Sequence, residues 1–298
     1  MANTKTLLVI AGPTASGKTD LAIEIAQAYK TEILSADSRQ CYREMNIGTA
    51  KPDAIQLAAV PHHFIHSHSI HDTVSAGSYE SYSLSILEKL FTTHDVVVCT
   101  GGTGMYIQAL CHGLDPMPIV PASEKEVVQL EYDLHGLSWL QEEVKRIDPV
   151  FFAQCEQENP ARLMRALSFF RTHQQSILHF QQQPKAIRPF VIKRWAIDWP
   201  REELYQRIHH RVDNMMEAGL LEEVKSLVPF QHLPCLQTVG YTELFRYLAG
   251  EYTFETAIDK IKQHTRNYAK RQITWFRNQG DFLWQTPSEI KKSALILA

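Results

Sequence analysis

The chain has 298 residues, of which 44% are apolar and 21% charged, and it carries a net charge of −3. This composition is ordinary for a globular enzyme, and no apolar run reaches the roughly 18–20 residues that a membrane helix needs. The first predicted strand begins too close to Met1 for a signal peptide, and the five cysteines include no C-x-x-C pair. We therefore expect a cytoplasmic protein with reduced thiols, built from one large or two moderate domains.

A phosphate-binding loop follows the first predicted strand, residues 7–11. The next eight residues match the complete P-loop pattern G-x-x-x-x-G-K-[ST]: Gly12, Pro13, Thr14, Ala15, Ser16, Gly17, Lys18 and Thr19. Its glycines let the backbone wrap around an anion, and the helix predicted at residues 19–29 adds the positive end of its dipole. Lys18 adds a charge and the Thr19 hydroxyl is suited to hold Mg²⁺. The motif therefore predicts a polyphosphate or pyrophosphate site without specifying ATP.

A carboxylate and a glycine turn follow the next two predicted strands. Residues 32–36 end at Asp37, and residues 95–100 are followed by Gly101, Gly102, Thr103 and Gly104. Helical segments separate these strands, which predicts a parallel sheet with ligands beyond its carboxyl ends. The P-loop, Asp37 and Thr103 should therefore meet in one crevice. There Asp37 could organise Mg²⁺, accept a proton from a nucleophile, or only cap the next turn.

A proline-rich stretch that begins at Asp115 interrupts this alternation. The pattern is helical from residue 123 to residue 183, and a fourth strand is predicted within residues 189–199. We therefore predict an α/β fold, with a P-loop NTPase-like parallel sheet flanked by helices and an inserted helical domain. Residues 1–114 and 186–298 would form the core with its C-terminal helices, and residues 115–185 the insertion.

A basic and aromatic segment lies on the last long predicted helix, residues 253–278. It contains no acid between Lys260 and Arg277, and its charged and aromatic members are Lys260, Lys262, Arg266, Tyr268, Lys270, Arg271, Trp275, Phe276 and Arg277. The pattern fits either a solvated helix face or an RNA-binding surface. On an earlier predicted helix, Arg207 and Arg211 form either a phosphate clamp or surface ion pairs.

Together these motifs resemble those of the bacterial tRNA dimethylallyltransferases, also called isopentenyl-pyrophosphate:tRNA transferases. Besides the P-loop and the glycine turn with Tyr106, the matching residues are Ser35, Ala36, Asp37, Ser38, Gln40, Tyr42, Asn46, Ile47, Gly48, Thr49, Ala50, Lys51, Pro52, Pro61, His62, His63, Arg162, Arg165, Ala166, Leu167, Arg207, Ile208, Arg211, Val212, Val239, Gly240, Tyr241, and the run from Lys270 to Arg277. These matches extend over nearly the whole chain, so the resemblance is specific.

The resemblance implies transfer of a dimethylallyl group from dimethylallyl pyrophosphate to a tRNA. The acceptor would be N6 of the adenosine 3′-adjacent to the anticodon, tRNA position 37, in tRNAs that read codons starting with U. The P-loop would then hold the pyrophosphate, with Mg²⁺ on Thr19. By analogy the charge that develops on the leaving oxygens is neutralised by Thr14, Lys18, Thr19 and Arg211. Thr103 would bind near the bridging oxygen, and Asp37 would accept the N6 proton.

The resemblance also implies a set of tRNA contacts. In this sequence they fall on Asp37, Ser38, Arg39, Gln40, Thr103, Lys125, Ala161, Arg162, Leu163, Met164, Arg165, Gln237, Thr238, Val239, Gly240, Tyr241, Thr242, Lys270, Arg271, Gln272, Ile273, Thr274, Trp275, Phe276 and Arg277. The helical insertion would be a mobile domain that grips the anticodon stem-loop. The sequence departs from many relatives at Ala161 and Thr242, where they carry longer polar or basic residues, and at Lys125, where they carry arginine.

Three alternatives share the P-loop. An ATP-dependent small-molecule kinase also combines it with a strand-end carboxylate, but it leaves the basic segment and the helical insertion unexplained. An adenylate isopentenyltransferase would prenylate free adenine nucleotides and would not need an extended RNA surface. A non-catalytic RNA-binding module would not depend on Asp37. We therefore expect a monomeric, Mg²⁺-dependent prenyltransferase acting on tRNA.

Overall fold

The computed structural model describes residues 4–180, 186–279 and 281–296, and the chain divides into two compact units. The larger unit comprises Met1–His112 and Ile187–Ala298, and the smaller unit comprises Gly113–Ala186. Along the chain, the smaller unit is therefore inserted between the two parts of the larger one. Residue 183, where the predicted helical pattern ends, lies outside the described residues.

A parallel sheet forms the centre of the larger unit. Its strands are β1 (Thr6–Ala11), β2 (Ile33–Ser35), β3 (His62–His63), β4 (Val96–Gly101), β5 (Val191–Ile197) and β6 (Leu283–Gln285). They lie in the order β3-β2-β4-β1-β5-β6, and every pairing is parallel. The predicted α/β class is confirmed. Because β2, β4 and β1 are neighbours, Asp37, the glycine turn and the P-loop all follow adjacent strands at one edge of the sheet.

Helices cover both faces of this sheet. The chain forms α1 (Lys18–Tyr29), α2 (Ala54–Ala59), α3 (Ala76–Leu90), α4 (Gly104–His112), α5 (Ala122–Ile147), α6 (Pro149–Gln154), α7 (Pro160–His173), α8 (Arg201–Glu217), α9 (Leu220–Leu227), α10 (Tyr241–Leu248), α11 (Phe254–Asn278) and α12 (Pro287–Leu295). Side chains alternate along β1, so Leu7 and Val9 pack with α3, α4 and α11, whereas Leu8 and Ile10 pack with α1 and α12. None of the helices in the described residues has both the length and the hydropathy to cross a membrane.

The smaller unit contains α5, α6 and α7 around a core of its own. The α5 helix is kinked at Gly136, whose φ of 78° lies in the left-handed region that glycine tolerates. Proline occupies the first position of α6 and of α7, where its missing N–H costs no helical hydrogen bond. The buried apolar members of the core are Val128, Leu140, Val144, Phe151, Leu163, Ala166, Leu167, Phe169 and Ile177.

Some elements of the larger unit lie outside the sequence-based predictions. The predicted fourth strand is β5, but the sheet extends further through β6 and through the two residues of β3. The helices α10 and α12 are also additional. These elements contain two to nine residues, too few for a hydrophobic period to stand out. Their structure depends on the neighbours they pack against.

Candidate active site

The backbone of the P-loop contains two residues in the left-handed region. Ala15 has a φ of 62° and Gly17 a φ of 85°, both in the left-handed region. For the alanine this conformation costs about 1 kcal/mol or more. A Cβ at Gly12 would meet Ser16 Oγ at 3.1 Å, so glycine is needed there for close packing. Ser16 Oγ is buried and has no hydrogen-bond partner among the described residues, which leaves it free to bind an anion oxygen.

Two remote side chains hold the carbonyl groups of this loop. Arg207 Nε donates to Ala15 O at 2.8 Å, and Trp199 Nε1 donates to Ser16 O at 2.9 Å. The guanidinium of Arg207 also lies 4.8 Å from the centre of the Trp199 ring, within range of a cation–π interaction. Arg207, one of the two arginines predicted to clamp phosphate, thus supports the backbone of the loop. Trp199 is absent from the sequence-based site.

Two cations lie against the loop. Lys18 Nζ donates to Pro13 O at 2.6 Å, and Arg211 Nη1 donates to Thr14 Oγ1 at 3.0 Å. Removal from bulk water and the nearby positive charge of Arg211 lower the pKa of Lys18 to about 7, although Asp37 acts in the opposite direction. Arg211 keeps its charge despite burial, because a guanidinium is not deprotonated in proteins. Arg211 is therefore a permanent cation beside the P-loop, whereas Lys18 titrates near neutrality.

Asp37 begins a tight turn that continues from β2. Its Oδ1 accepts the backbone N–H of Arg39 at 2.9 Å and of Gln40 at 3.3 Å. The Thr103 hydroxyl accepts the backbone N–H of Ser38 at 3.0 Å and lies 3.2 Å from Ser38 Oγ. Thr103 thus braces the turn. To donate to the bridging oxygen, as predicted, the Thr103 hydroxyl would turn its proton away from Ser38 Oγ and could still accept the Ser38 N–H.

A cavity of about 830 Å³ opens over the P-loop. Asp37 lies on its wall beside Gln40, and Arg211 and Arg207 lie on the α8 side. The P-loop side chains and backbone that line it belong to Thr14, Ala15, Ser16, Gly17, Lys18 and Thr19. This cavity therefore contains six of the eight predicted pyrophosphate-binding residues, without Gly12 and Pro13, together with the predicted base and both arginines. We call it the donor cavity.

A second cavity of about 460 Å³ adjoins the first. Residues that line both are Thr14, Asp37, Thr49, Arg211, Met215 and Tyr268. The second cavity alone is lined by a group of residues predicted to bind tRNA, namely Arg39, Gln237, Thr238, Val239, Gly240, Thr242 and Arg271. Asp37 thus lies on the wall common to the two cavities. We call the second one the acceptor cavity.

The side chain of Gln272 bridges the P-loop and the glycine turn. Its Oε1 accepts Thr14 N–H at 2.8 Å, and its Nε2 donates to Gly102 O at 2.9 Å. A Cβ at Gly102 would lie 2.3 Å from that amide, and a Cβ at Gly104 would lie 2.3 Å from the ring of Trp275. These glycines therefore let α11 approach the turn. Gln272 thus bridges the two segments and Trp275 packs against the glycine turn. Their predicted contacts with RNA stay predictions.

The other predicted tRNA residues of the larger unit divide by exposure. Lys270, Arg271, Thr274 and Arg277 are exposed on one face of α11, whereas Ile273 is half-buried. Phe276 is buried in the core, and so is Tyr241 at the start of α10. The buried pair supports the surface from beneath, since neither ring is available to an RNA in this conformation.

The predicted tRNA residues of the smaller unit also lie on two sides. Lys125 on α5 is exposed, and so are Ala161, Arg162 and Arg165 on the first turns of α7. On the opposite side of α7, Leu163 is buried and Met164 packs against the same core. The two arginines, three positions apart, thus share the exposed face of the helix.

Comparisons with known proteins agree on one family. The family model for IPP transferase matches residues 40–279. A tRNA dimethylallyltransferase 1 from Bacteroides thetaiotaomicron is 44% identical over 284 residues, covering 95% of this chain and 92% of the relative. The crystal structure of a tRNA isopentenylpyrophosphate transferase from Bacillus halodurans matches with a TM-score of 0.72 at 30% identity, over 98% of this chain and 95% of that one.

A eukaryotic dimethylallyltransferase acting on tRNA has the same fold as this chain. The two structures align with a TM-score of 0.76 over 95% of this chain and 74% of the other. Their sequences are 22% identical, so this likeness concerns the fold alone.

Proposed function

The chain belongs to the IPP transferase family, and on this premise we propose that it transfers a dimethylallyl group from dimethylallyl pyrophosphate to a tRNA. The acceptor is N6 of the adenosine 3′-adjacent to the anticodon, tRNA position 37, in tRNAs that read codons starting with U. One observation carries the proposal: Asp37 lies on the wall common to the donor and acceptor cavities. A base in that position can reach a nucleophile that enters from one side and a donor held on the other.

The reaction joins a nitrogen to a carbon and releases pyrophosphate. The adenosine leaves the anticodon-loop stack so that its N6 can enter the acceptor cavity. N6 then attacks C1 of the dimethylallyl group, the C1–O bond breaks, and its electron pair stays on the pyrophosphate. Asp37 accepts the proton that N6 loses. Lys18, Arg211 and the N–H groups of the P-loop stabilise the charge on the leaving oxygens.

The donor cavity also suits Mg²⁺. Its lining includes Thr19 and Asp37, whose hydroxyl and carboxylate groups are hard oxygen donors of the kind this ion prefers. Among the described residues, Asp37 uses only Oδ1 in its hydrogen bonds to the turn. We propose that Thr19 holds Mg²⁺, with Asp37 close by. When bound, the ion would add positive charge beside the leaving pyrophosphate.

The tRNA would bind through exposed basic residues of both units. In the larger unit, Lys270, Arg271 and Arg277 form a positive stripe on α11 that begins at the acceptor cavity with Arg271. In the smaller unit, Arg162 and Arg165 provide two guanidinium groups on one helix face, which suits contacts with phosphates. We propose that the protein acts as a monomer.

The kinase alternative uses only part of this arrangement. A small-molecule kinase could bind ATP in the donor cavity and its phosphoryl acceptor in the second cavity, but it gives no role to the basic stripe on α11. An adenylate isopentenyltransferase would use both cavities without the stripe. The three functions therefore differ in the acceptor and donor that they require.

The test is a substrate-exchange assay. The protein is incubated with Mg²⁺, dimethylallyl pyrophosphate and unmodified tRNA whose anticodon loop carries an A-A-A run, and the digested tRNA is analysed for prenylated adenosine. Parallel reactions replace the tRNA by AMP, or the prenyl donor by ATP. We expect prenylation of the tRNA alone. Prenylation of AMP without tRNA modification would favour the adenylate enzyme, and phosphoryl transfer from ATP would favour the kinase.

A further inference from the structure

A carboxylate from α9 holds the loop that follows Met45. Glu223 Oε2 accepts the backbone N–H of Asn46 at 3.0 Å and of Ile47 at 2.8 Å, and its Oε1 accepts Gly48 N–H at 3.1 Å. The Tyr241 hydroxyl donates to the same Oε1 at 2.6 Å. Four donors thus converge on one carboxylate. Hydrogen bonds to an ionised acceptor are stronger than neutral ones, so this contact fixes the loop firmly.

Close packing reinforces these hydrogen bonds. A Cβ at Gly48 would lie 2.5 Å from the ring of Tyr241, so only glycine can lie directly on that ring. Tyr241 itself is fully buried at the start of α10. It is therefore a fixed support beneath the loop. We call Glu223 and Tyr241 the clasp.

The far end of the loop is joined to the turn that contains the base. Gln40 Nε2 donates to Thr49 O at 3.1 Å and to Ala50 O at 3.0 Å. The backbone N–H of the same Gln40 donates to Asp37 Oδ1 at 3.3 Å. A continuous set of contacts therefore runs from the clasp, through residues 46–50, to the carboxylate of Asp37.

The loop also forms part of the cavity walls. Gly48 and Thr49 line the acceptor cavity, on whose wall Gln237, Thr238 and Val239 also lie. Tyr241 follows these last residues along the chain. The clasp therefore ties the loop that contributes one part of this wall to the segment that contributes another. The spacing of these two parts determines what can enter beside Asp37.

We propose that Glu223, together with Tyr241, is a positioning residue that sets the width of the acceptor cavity and the orientation of Asp37 toward the incoming adenosine. The proposal rests on the proposed tRNA prenylation and adds residues to it. The loop also lines the donor cavity, through Asn46, Ile47, Thr49 and Ala50. Among the described residues, however, neither member of the clasp has a hydrogen bond to the P-loop, where the pyrophosphate would bind. Loss of the clasp should therefore affect the use of tRNA more than the use of dimethylallyl pyrophosphate.

The test compares E223A with a control on the same helix. Glu222 is exposed and pairs with Lys225 at 2.7 Å, so E222Q removes a neighbouring negative charge without touching the loop. For E223A we expect kcat/KM for tRNA to fall about tenfold or more, because a network of charge-assisted hydrogen bonds is lost. The KM for dimethylallyl pyrophosphate should stay within about twofold, and E222Q should resemble the wild type in both respects.

A second measurement tests whether the clasp holds the loop and does not depend on catalysis. Hydrogen–deuterium exchange of residues 46–50 should be faster in E223A than in the wild type, while exchange in the P-loop and in β1 stays unchanged. Y241F removes one of the four donors and should cause a smaller change in the same residues. If E223A does not fold, E223Q and Y241F carry the comparison, because both retain the size of the side chain.

Several results would overturn the inference. Equal losses for tRNA and for dimethylallyl pyrophosphate would indicate a general structural role. Unchanged kinetics despite faster exchange would show that the loop does not position the acceptor, and unchanged exchange would show that the clasp does not hold the loop. If the wild type itself prenylates no tRNA, the proposed function fails, whereas exchange at residues 46–50 still decides whether the clasp exists.

Discussion

Binding of pyrophosphate should cause Lys18 to take up a proton. Removal from bulk water and the nearby charge of Arg211 lower the pKa of this ammonium group to about 7 in the free protein. A bound pyrophosphate would bring several negative charges beside it and would favour the charged form. Binding should therefore raise the pKa of Lys18 and take up a proton wherever the free protein holds this lysine neutral.

The expected uptake follows from the two protonation states. With a pKa of about 7 in the free protein, roughly 0.9 of the molecules hold a neutral Lys18 at pH 8 and roughly 0.1 at pH 6. Uptake should therefore be about 0.9 proton per site at pH 8 and about 0.1 at pH 6. Over the same range the affinity should fall as the pH rises above 7, by up to about tenfold per pH unit.

Titration calorimetry with inorganic pyrophosphate and Mg²⁺ measures this uptake from the heats in buffers of different ionisation enthalpy. The matched control is Lys18→Arg, because a guanidinium stays protonated and cannot contribute a proton uptake at this position. Protons bound or released by the ligand are common to both proteins and cancel in the difference. Equal uptake by the wild type and by Lys18→Arg at pH 8 would refute the assignment of a neutral Lys18 in the free protein.

Three further substitutions test separate parts of the site. Asp37→Asn should lower kcat about 10²–10⁴-fold, because it removes the base. The affinity for the anticodon stem-loop should stay within a few-fold of the wild type. A loss of affinity as large as the loss of kcat would contradict the assignment of Asp37 as the base. Gln272→Ala should raise the KM for dimethylallyl pyrophosphate about tenfold, because Thr14 N–H and Gly102 O lose their partner. The control Gln263→Ala, on the same helix, should leave that KM unchanged. If Gln272→Ala instead mainly lowered the affinity for RNA, Gln272 would belong to the RNA-binding surface. Lys270→Ala should reduce the steepness of the plot of log K for tRNA binding against log salt concentration by about 0.7–0.9. The control Lys291→Ala, which removes a partner of Glu24, should leave this slope unchanged. Equal slopes for Lys270→Ala and the wild type would exclude Lys270 from phosphate contacts.

The sequence predicted the parts of the fold that local patterns specify. The strand β1, the P-loop and α1 follow one another as a buried apolar run, an eight-residue motif and a helical period, and the structure confirms all three. Asp37 and the glycine turn were expected at one edge of the sheet because each follows a strand. The order β2-β4-β1 makes those strands neighbours. By contrast, β6 contains three residues and owes its existence to pairing with β5.

The contacts that shape the site could not be predicted, because they join distant parts of the chain. Gln272 is 258 residues from Thr14, and Trp199 is 183 residues from Ser16. Nothing in the sequence around Gln272 distinguishes an amide that reaches inward from one that faces RNA, since its neighbour Arg271 is exposed. Only the packing of α11 against Gly102 and Gly104 decides the direction. The resemblance assigned the whole segment to RNA contacts, and the structure places its residues on opposite sides of the helix.

Lys18 and Arg211, which lie close together in the donor cavity, give a physical reason for a P-loop in a reaction that transfers carbon. In the free protein, Arg211 contributes to the lowered pKa of Lys18, so holding both positive charges together has a cost. Cleavage of the C1–O bond adds negative charge to the pyrophosphate oxygens and relieves this repulsion as the bond lengthens. An interaction that strengthens from the bound substrate to the transition state accelerates the chemical step, whereas uniform binding does not. The same loop can therefore favour departure of the pyrophosphate while Asp37, on the common wall, receives the proton from the acceptor nitrogen.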